Sequence, residues 1–243
     1  MAQHGKSYRN ARAQIDREKL YSPAEAVRML KSFDGKKFDE TVEAHFRLGL
    51  NVRHAEQQLR GTLMLPHGTG RESRVAVFAE GEKAREAEEA GADIVGSADL
   101  AKQIEEGFDD FDVAIATPDQ MANVGKLGRI LGPRGKMPNP KAGTVTFDVG
   151  KAVRDSKQGK LEYRTDRGAN VHLSIGRKSF DERQLLENYA AVVEEIVRAK
   201  PGAAKGRYIR SITLTASMGP GIHVDPQRTR GIAEEQEGAE AAA

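Results

Sequence analysis

The chain has no cysteine and no tryptophan, and aromatic residues make up only 5% of its 243 positions. Without cysteine there are no disulfides, no thiolate metal sites and no Cys nucleophile. No apolar run approaches the roughly 20 residues that a membrane-spanning helix needs. The opening Met-Ala-Gln-His-Gly-Lys lacks the apolar stretch of a secretory signal. The expectation is a cytoplasmic protein with no membrane partner. The six histidines (His4, His45, His54, His67, His172, His223) show no metal-ligand spacing. There is no Ser/His/Asp order and no nucleophile elbow. No enzymatic activity, metal or cofactor is expected.

Net charge is also small, +2, but its distribution is uneven. Residues 123–141 carry five bases and no acids, and so do residues 198–210. Residues 151–180 hold eight bases against three acids. Residues 80–112 hold twelve acids against three bases, and Glu234, Glu235, Glu237 and Glu240 follow in the tail. Clustered bases are the electrostatic footprint of polyanion binding; a mixed, solvated surface is the plainer account.

What is present divides the chain by pattern. Residues 1–20 are polar and basic and read as a mobile arm. Ser22-Pro23-Ala24-Glu25 carries a helix cap, a first-turn proline and a capping-box glutamate. Val42, Ala44, Phe46, Leu48 and Leu50 then alternate with polar residues, the mark of a half-buried strand. From Arg74 the grammar changes. Compact apolar strands at 74–79, 93–95 and 113–116 alternate with helices after Glu82 and Ser97, and Thr117-Pro-Asp-Gln120 repeats the capping-box pattern. Alternation returns after about 160, followed by a long amphipathic helix through Leu185, Tyr189 and Ile196. The expected fold is α/β and α+β in two domains. A discontinuous α+β domain with an antiparallel sheet (1–68 and 160–228) is interrupted by a Rossmann-like α/β domain (69–159). An acidic, disordered tail (229–243) follows. Gly68, Gly70 and Gly159 read either as hinges or as ordinary loop glycines.

The most informative stretch is Ser211-Ile-Thr-Leu-Thr-Ala-Ser-Met-Gly-Pro-Gly221. On a strand, Ile212, Leu214 and Ala216 point one way, and Ser211, Thr213, Thr215 and Ser217 the other. The turn after it has almost no side-chain bulk, so another backbone can come close. Such a hydroxyl row fits a phosphate-rich polymer, and it equally fits a solvated strand face. Val124–Gly143 is rich in Gly, Pro and base but is neither a P-loop nor a dinucleotide fingerprint; a rigid basic loop is the simpler reading. Phe38, beside Lys36 and Lys37, fits a base or ribose contact, although most phenylalanines are core. The turn after 74–79 is Glu80-Gly-Glu-Lys83, which repels phosphate and argues against a cofactor domain. An RNA-binding protein and a protein-interaction scaffold are the two readings that remain.

Lys37-Phe-Asp-Glu-Thr-Val-Glu43, Arg60-Gly-Thr62, Leu65-Pro-His-Gly68, Leu127-Gly-Arg-Ile-Leu-Gly-Pro-Arg-Gly135, Met137-Pro-Asn-Pro-Lys-Ala-Gly-Thr144 and Met218-Gly-Pro220 together resemble the L-one family of large-subunit ribosomal proteins. The resemblance runs from His4 to about Pro226. It implies a discontinuous and an inserted domain, binding to large-subunit (23S) rRNA at the mobile stalk, and a part in releasing exit-site tRNA. It also implies repression of the protein's own operon through its mRNA, and a monomer outside the ribosome. The contact surface it implies comprises Phe38, Thr41, Ser211, Ser217, Met218, Gly219 and Pro220. Position 217 is often Thr in such proteins; Ser keeps the hydroxyl and loses the methyl. Thr213, Thr215 and His172 complete the expected polar surface, and Lys36, Lys37, Arg164, Arg207 and Arg210 supply cations for phosphates.

Overall fold

The computed structural model describes residues 4–33 and 36–228, which form two compact units. The acidic tail expected to be disordered lies outside the described residues. The first unit begins with helices α1 (Lys6–Ala13) and α2 (Pro23–Ser32) and strands β1 (Thr41–Leu48) and β2 (Arg60–Met64). The second contains β3 (Val75–Phe78), α3 (Glu82–Glu89), β4 (Ile94–Gly96), α4 (Ala98–Glu105), β5 (Val113–Ala116), α5 (Met121–Lys126), α6 (Gly128–Leu131) and α7 (Val149–Lys157). The chain then runs through β6 (Lys160–Arg164), β7 (Asn170–Arg177), α8 (Glu182–Arg198), β8 (Ile209–Ala216) and β9 (Ile222–Val224).

The units divide at Gly70/Arg71 and Glu162/Tyr163. Tyr163 belongs to the first because its ring packs over Gly61 and its hydroxyl donates to Glu195 Oε1 (2.9 Å). Gly70 has φ +69°, and a Cβ there would meet the Phe180 ring at 2.7 Å. A positive φ and a close approach therefore both require glycine at this position.

In the first unit β1 and β8 are the inner strands of an antiparallel sheet ordered β7-β1-β8-β9, and β2 and β6 form a separate ribbon. Alternation decides the faces. Val42, Ala44, Phe46 and Leu48 are buried, as are Val171, Leu173 and Ile175 on β7 and Ile212, Leu214 and Ala216 on β8. They pack against α2 and α8, where Phe46 and Tyr189 lie nearly parallel with ring centroids 6.5 Å apart. The capping box of α2 forms as read: Ser22 Oγ accepts from Glu25 N–H, and Glu25 Oε2 accepts from Ser22 N–H. Asn188 of α8 is fully buried and satisfied, accepting from His67 N–H and donating to the carbonyls of Gly68 and Ile175.

In the second unit the parallel sheet β4-β3-β5 is covered on both faces. Phe78, Leu100, Ile104, Val124, Leu127 and Leu131 fill one side; Val77, Ala87, Ile115, Val149 and Val153 fill the other. That explains why β3 and β5 are apolar without alternation.

Three local readings are corrected. The N-terminal arm is not wholly irregular, because residues 6–13 form α1, with Ala11 buried. Thr117-Pro-Asp-Gln120 makes a 3-10 turn without a side-chain cap. The Gln120 side chain is drawn instead to Ser97 Oγ and Asn123 Nδ2. The 124–143 stretch is not simply a rigid basic loop: α5 and α6 run through its first half, because Val124, Leu127 and Leu131 recur at helical spacing and are fully buried.

Candidate nucleic-acid interface

The low-bulk turn Ser217–Gly221 connects β8 to β9 and is tied to the start of β1. Ser217 N–H donates to Thr41 O (3.0 Å), and Thr41 N–H donates to Ser217 Oγ (3.2 Å). Met218 N–H donates to Glu40 Oε1 (3.0 Å). Glu40 is 3% exposed, and Lys178 Nζ lies 3.6 Å from its other oxygen. A buried carboxylate needs such partners. Glu40 therefore fixes the turn from beneath while Met218 is 57% exposed and Phe38, two residues before Glu40, is 53% exposed. Phe38 is thus not a core residue.

Gly219 has no internal reason to be glycine. A Cβ there would meet nothing closer than Ala216 Cβ at 3.5 Å. Gly221 differs, since a Cβ would lie 2.8 Å from Thr213 Cγ2.

The structure brings Thr41, Ser211, Thr213 and Thr215 to the outer face of one sheet, with Ser217, Met218, Gly219 and Pro220 at its end. Most of the hydroxyls already have partners. Thr215 Oγ1 donates toward Ala216 O (3.0 Å), Ser217 Oγ lies 3.4 Å from Thr41 O, and Thr213 Oγ1 pairs with His223 Nδ1 (3.2 Å). The hydroxyls therefore organise the ledge and offer their remaining lone pairs outward.

Across the same face runs a row of His172, His45, Thr213 and His223, from β7 to β9. His45 Nδ1 and His172 Nδ1 are 2.9 Å apart. Burial lowers the pKa of His45, and His172 lowers it further, against the opposing pull of Glu43. His172 also faces Asp166 Oδ2 at 3.5 Å. Burial alone would raise the Asp166 carboxyl, but hydrogen bonds from Asn170, Gly168 and His172 bring it to about 2.

The cations are less uniform. Lys36 Nζ donates to Ser7 Oγ at 2.5 Å, while Lys37 is exposed and has no partner among the described residues. Arg210 is the extra residue where the β1–β8 register shifts, and it is exposed. Arg207 Nε donates to Ile209 O (3.2 Å). Arg164 is exposed at the end of β6, in the separate ribbon rather than in the sheet. Sequence reasoning missed Arg47, His45, His223 and Glu40. The first two lie on the polar parity of β1 and were findable from the same alternation. Glu40 carried no local signal.

The second unit treats its bases differently. Lys136 Nζ donates to Asp109 Oδ1 (2.7 Å) and to the carbonyls of Asp109 and Phe111, and Arg134 Nη1 lies 3.1 Å from Asp109 Oδ1. Two of the five bases in 123–141 thus neutralise the acidic stretch. Lys126, Arg129 and Lys141 are exposed without partners among the described residues.

A family model described as Ribosomal protein L1p/L10e family matches residues 30–220. The Large ribosomal subunit protein uL1 of Rubrobacter xylanophilus is 63% identical over 227 residues, covering 93% of this chain and 99% of its own. That of Thermobifida fusca is 62% identical over 225 residues, covering 93% and 96%. That of Frankia alni is 59% identical over 230 residues, covering 95% and 97%.

Proposed function

The chain belongs to the Ribosomal protein L1p/L10e family, and from that premise we propose how it works. It is a non-enzymatic structural protein of the large ribosomal subunit, and its partner is large-subunit ribosomal RNA. The first unit grips the folded RNA of the mobile stalk with the β1–β8 face and the Ser217–Pro220 turn. One observation carries this reading. Met218 and Phe38 stand exposed on neighbouring loops clipped together through Glu40, beside a Gly219 that only an approaching partner would need small. RNA sequence and shape are read at loops and bulges, where bases are splayed and can stack on such side chains. The same face serves an operon mRNA of similar shape, which makes the protein a translational repressor. The exposed Lys126, Arg129 and Lys141 of the second unit support contact with exit-site tRNA during its release. Outside the ribosome the chain is a monomer.

Filter binding to a stalk-rRNA fragment tests the surface. Ser217→Val removes the hydroxyl that accepts from Thr41 N–H and is expected to weaken binding by about 2–3 kcal/mol, roughly 30- to 150-fold. Gly219→Val is the cleaner variant, because a Cβ meets only ordinary contacts in the folded protein there and the added bulk stands in a partner's way. Near-wild-type affinity in both variants refutes the assignment of this surface.

A further inference from the structure

Between α1 and the β8–β9 turn lies a groove of about 370 Å³. Its cationic wall is Arg12 and Arg17, whose guanidinium groups have no ion-pair partner among the described residues. Tyr8 forms the aromatic wall and is backed by His4, which stacks on it with centroids 4.2 Å apart. Ile15 and Pro220 give an apolar floor, and His223 closes the end. His223 is also the partner of Thr213, so the groove opens directly onto the hydroxyl ledge. Helix α1 is held beside the ledge by the contact of Ser7 with Lys36.

An aromatic plane, an apolar floor and two uncommitted guanidinium groups match the three parts of a nucleotide. The ring stacks a base, the floor takes the ribose, and the arginines hold phosphate by paired donors. We infer that this groove is a second nucleotide-binding site, which takes one unpaired nucleotide of the RNA already bound on the β1–β8 face. The inference rests on the RNA-binding reading above and extends it to the N-terminal helix. The groove volume is too small for a duplex and continues the surface of the turn, so the occupant is a single nucleotide leaving the folded RNA.

The test is binding of the full chain to a stalk-rRNA fragment across a potassium chloride series, with thermal unfolding as a control. The variant Arg12→Gln/Arg17→Gln is expected to lose about tenfold in affinity at moderate salt, and its slope of log affinity against log salt falls by about one to two. Tyr8→Leu loses about tenfold, while Tyr8→Phe keeps wild-type affinity because the stacking plane survives. Unfolding midpoints stay unchanged in all three. A titration with adenosine 5′-monophosphate alone separates a polymer-linked nucleotide from a free one. Weak, millimolar binding of the mononucleotide supports the inference; micromolar binding assigns the groove to free nucleotides and overturns it. Wild-type affinity and slope in the arginine and Tyr8→Leu variants also overturn it and leave the ledge standing. Failure of the unmodified chain to bind the fragment overturns both readings.

Discussion

In the first unit the sheet β7-β1-β8-β9 buries one face under α2 and α8 and leaves the other open; in the second, β4-β3-β5 is covered on both faces. The open face carries histidines, hydroxyls and arginines in cross-strand rows, whereas the closed sheet carries only packing residues. Charge divides less cleanly, because Lys126, Arg129 and Lys141 of the second unit are exposed as well. The second unit sets Lys136 and Arg134 against its own Asp109. In the first unit Lys37 remains exposed next to exposed Phe38, and Arg210 is exposed at the other end of β8 from Met218. A one-sided sheet leaves room for a large partner. A two-sided sheet offers only its edges and loops.

Four changes break or sharpen this contrast. The largest effect is expected from Glu40→Ala, which removes the acceptor for Met218 N–H and leaves the mostly buried Lys178 without its carboxylate. It should cost about 2–3 kcal/mol in chemical denaturation and weaken binding to the stalk fragment as well. A wild-type denaturation midpoint would show that the clip is dispensable.

Lys136→Met is next. It removes an ammonium shared by a carboxylate and two carbonyls, and should destabilise the second unit by about 1–2 kcal/mol. Affinity for the stalk fragment should not change, because this cation is spent inside the unit. A clear drop in affinity would erase the contrast between the two sets of bases.

Replacing residues 71–159 by a short linker removes the two-sided sheet and keeps β6 whole. Affinity for the stalk fragment should fall by less than about tenfold, which is about 1.4 kcal/mol. A much larger loss in gel-shift titration would transfer specificity to the second unit.

The smallest effect is expected from His45→Gln. The folded pKa of His45 lies below its ordinary value of 6.5, chiefly through burial and then through His172. Its contribution is fully present above pH 6.5 and is lost as pH falls from there toward the depressed folded value, because the unfolded chain takes up the proton first. Between pH 7.5 and 5.5 the variant's unfolding free energy should decline less steeply than that of the unmodified chain. Parallel curves from urea titrations would exclude this role.

Much of this was legible residue by residue. The capping box at Ser22, the alternation in β1, β7 and β8, and the unalternating β3 and β5 all follow from periods of 3.6 and 2. Elements that rest on distant partners were not legible. Strand β9 is three residues long and exists because β8 pairs with it. Helix α7 starts at an Asp148 cap after a proline-rich stretch that reads as loop. Asn188 sits on the apolar stripe of α8, and only the chain at His67–Gly68 shows what it satisfies.

The sequence by itself determined which faces are apolar and where the polar row lies, because side-chain direction follows local backbone period. It also determined that the 217–221 turn has little bulk. Only the tertiary structure decided that Glu40 reaches Met218, that three histidines from three strands share one row, and that α1 closes a groove beside Pro220. Those relations join residues far apart along the chain. They depend on strand order and register, which a local pattern does not encode.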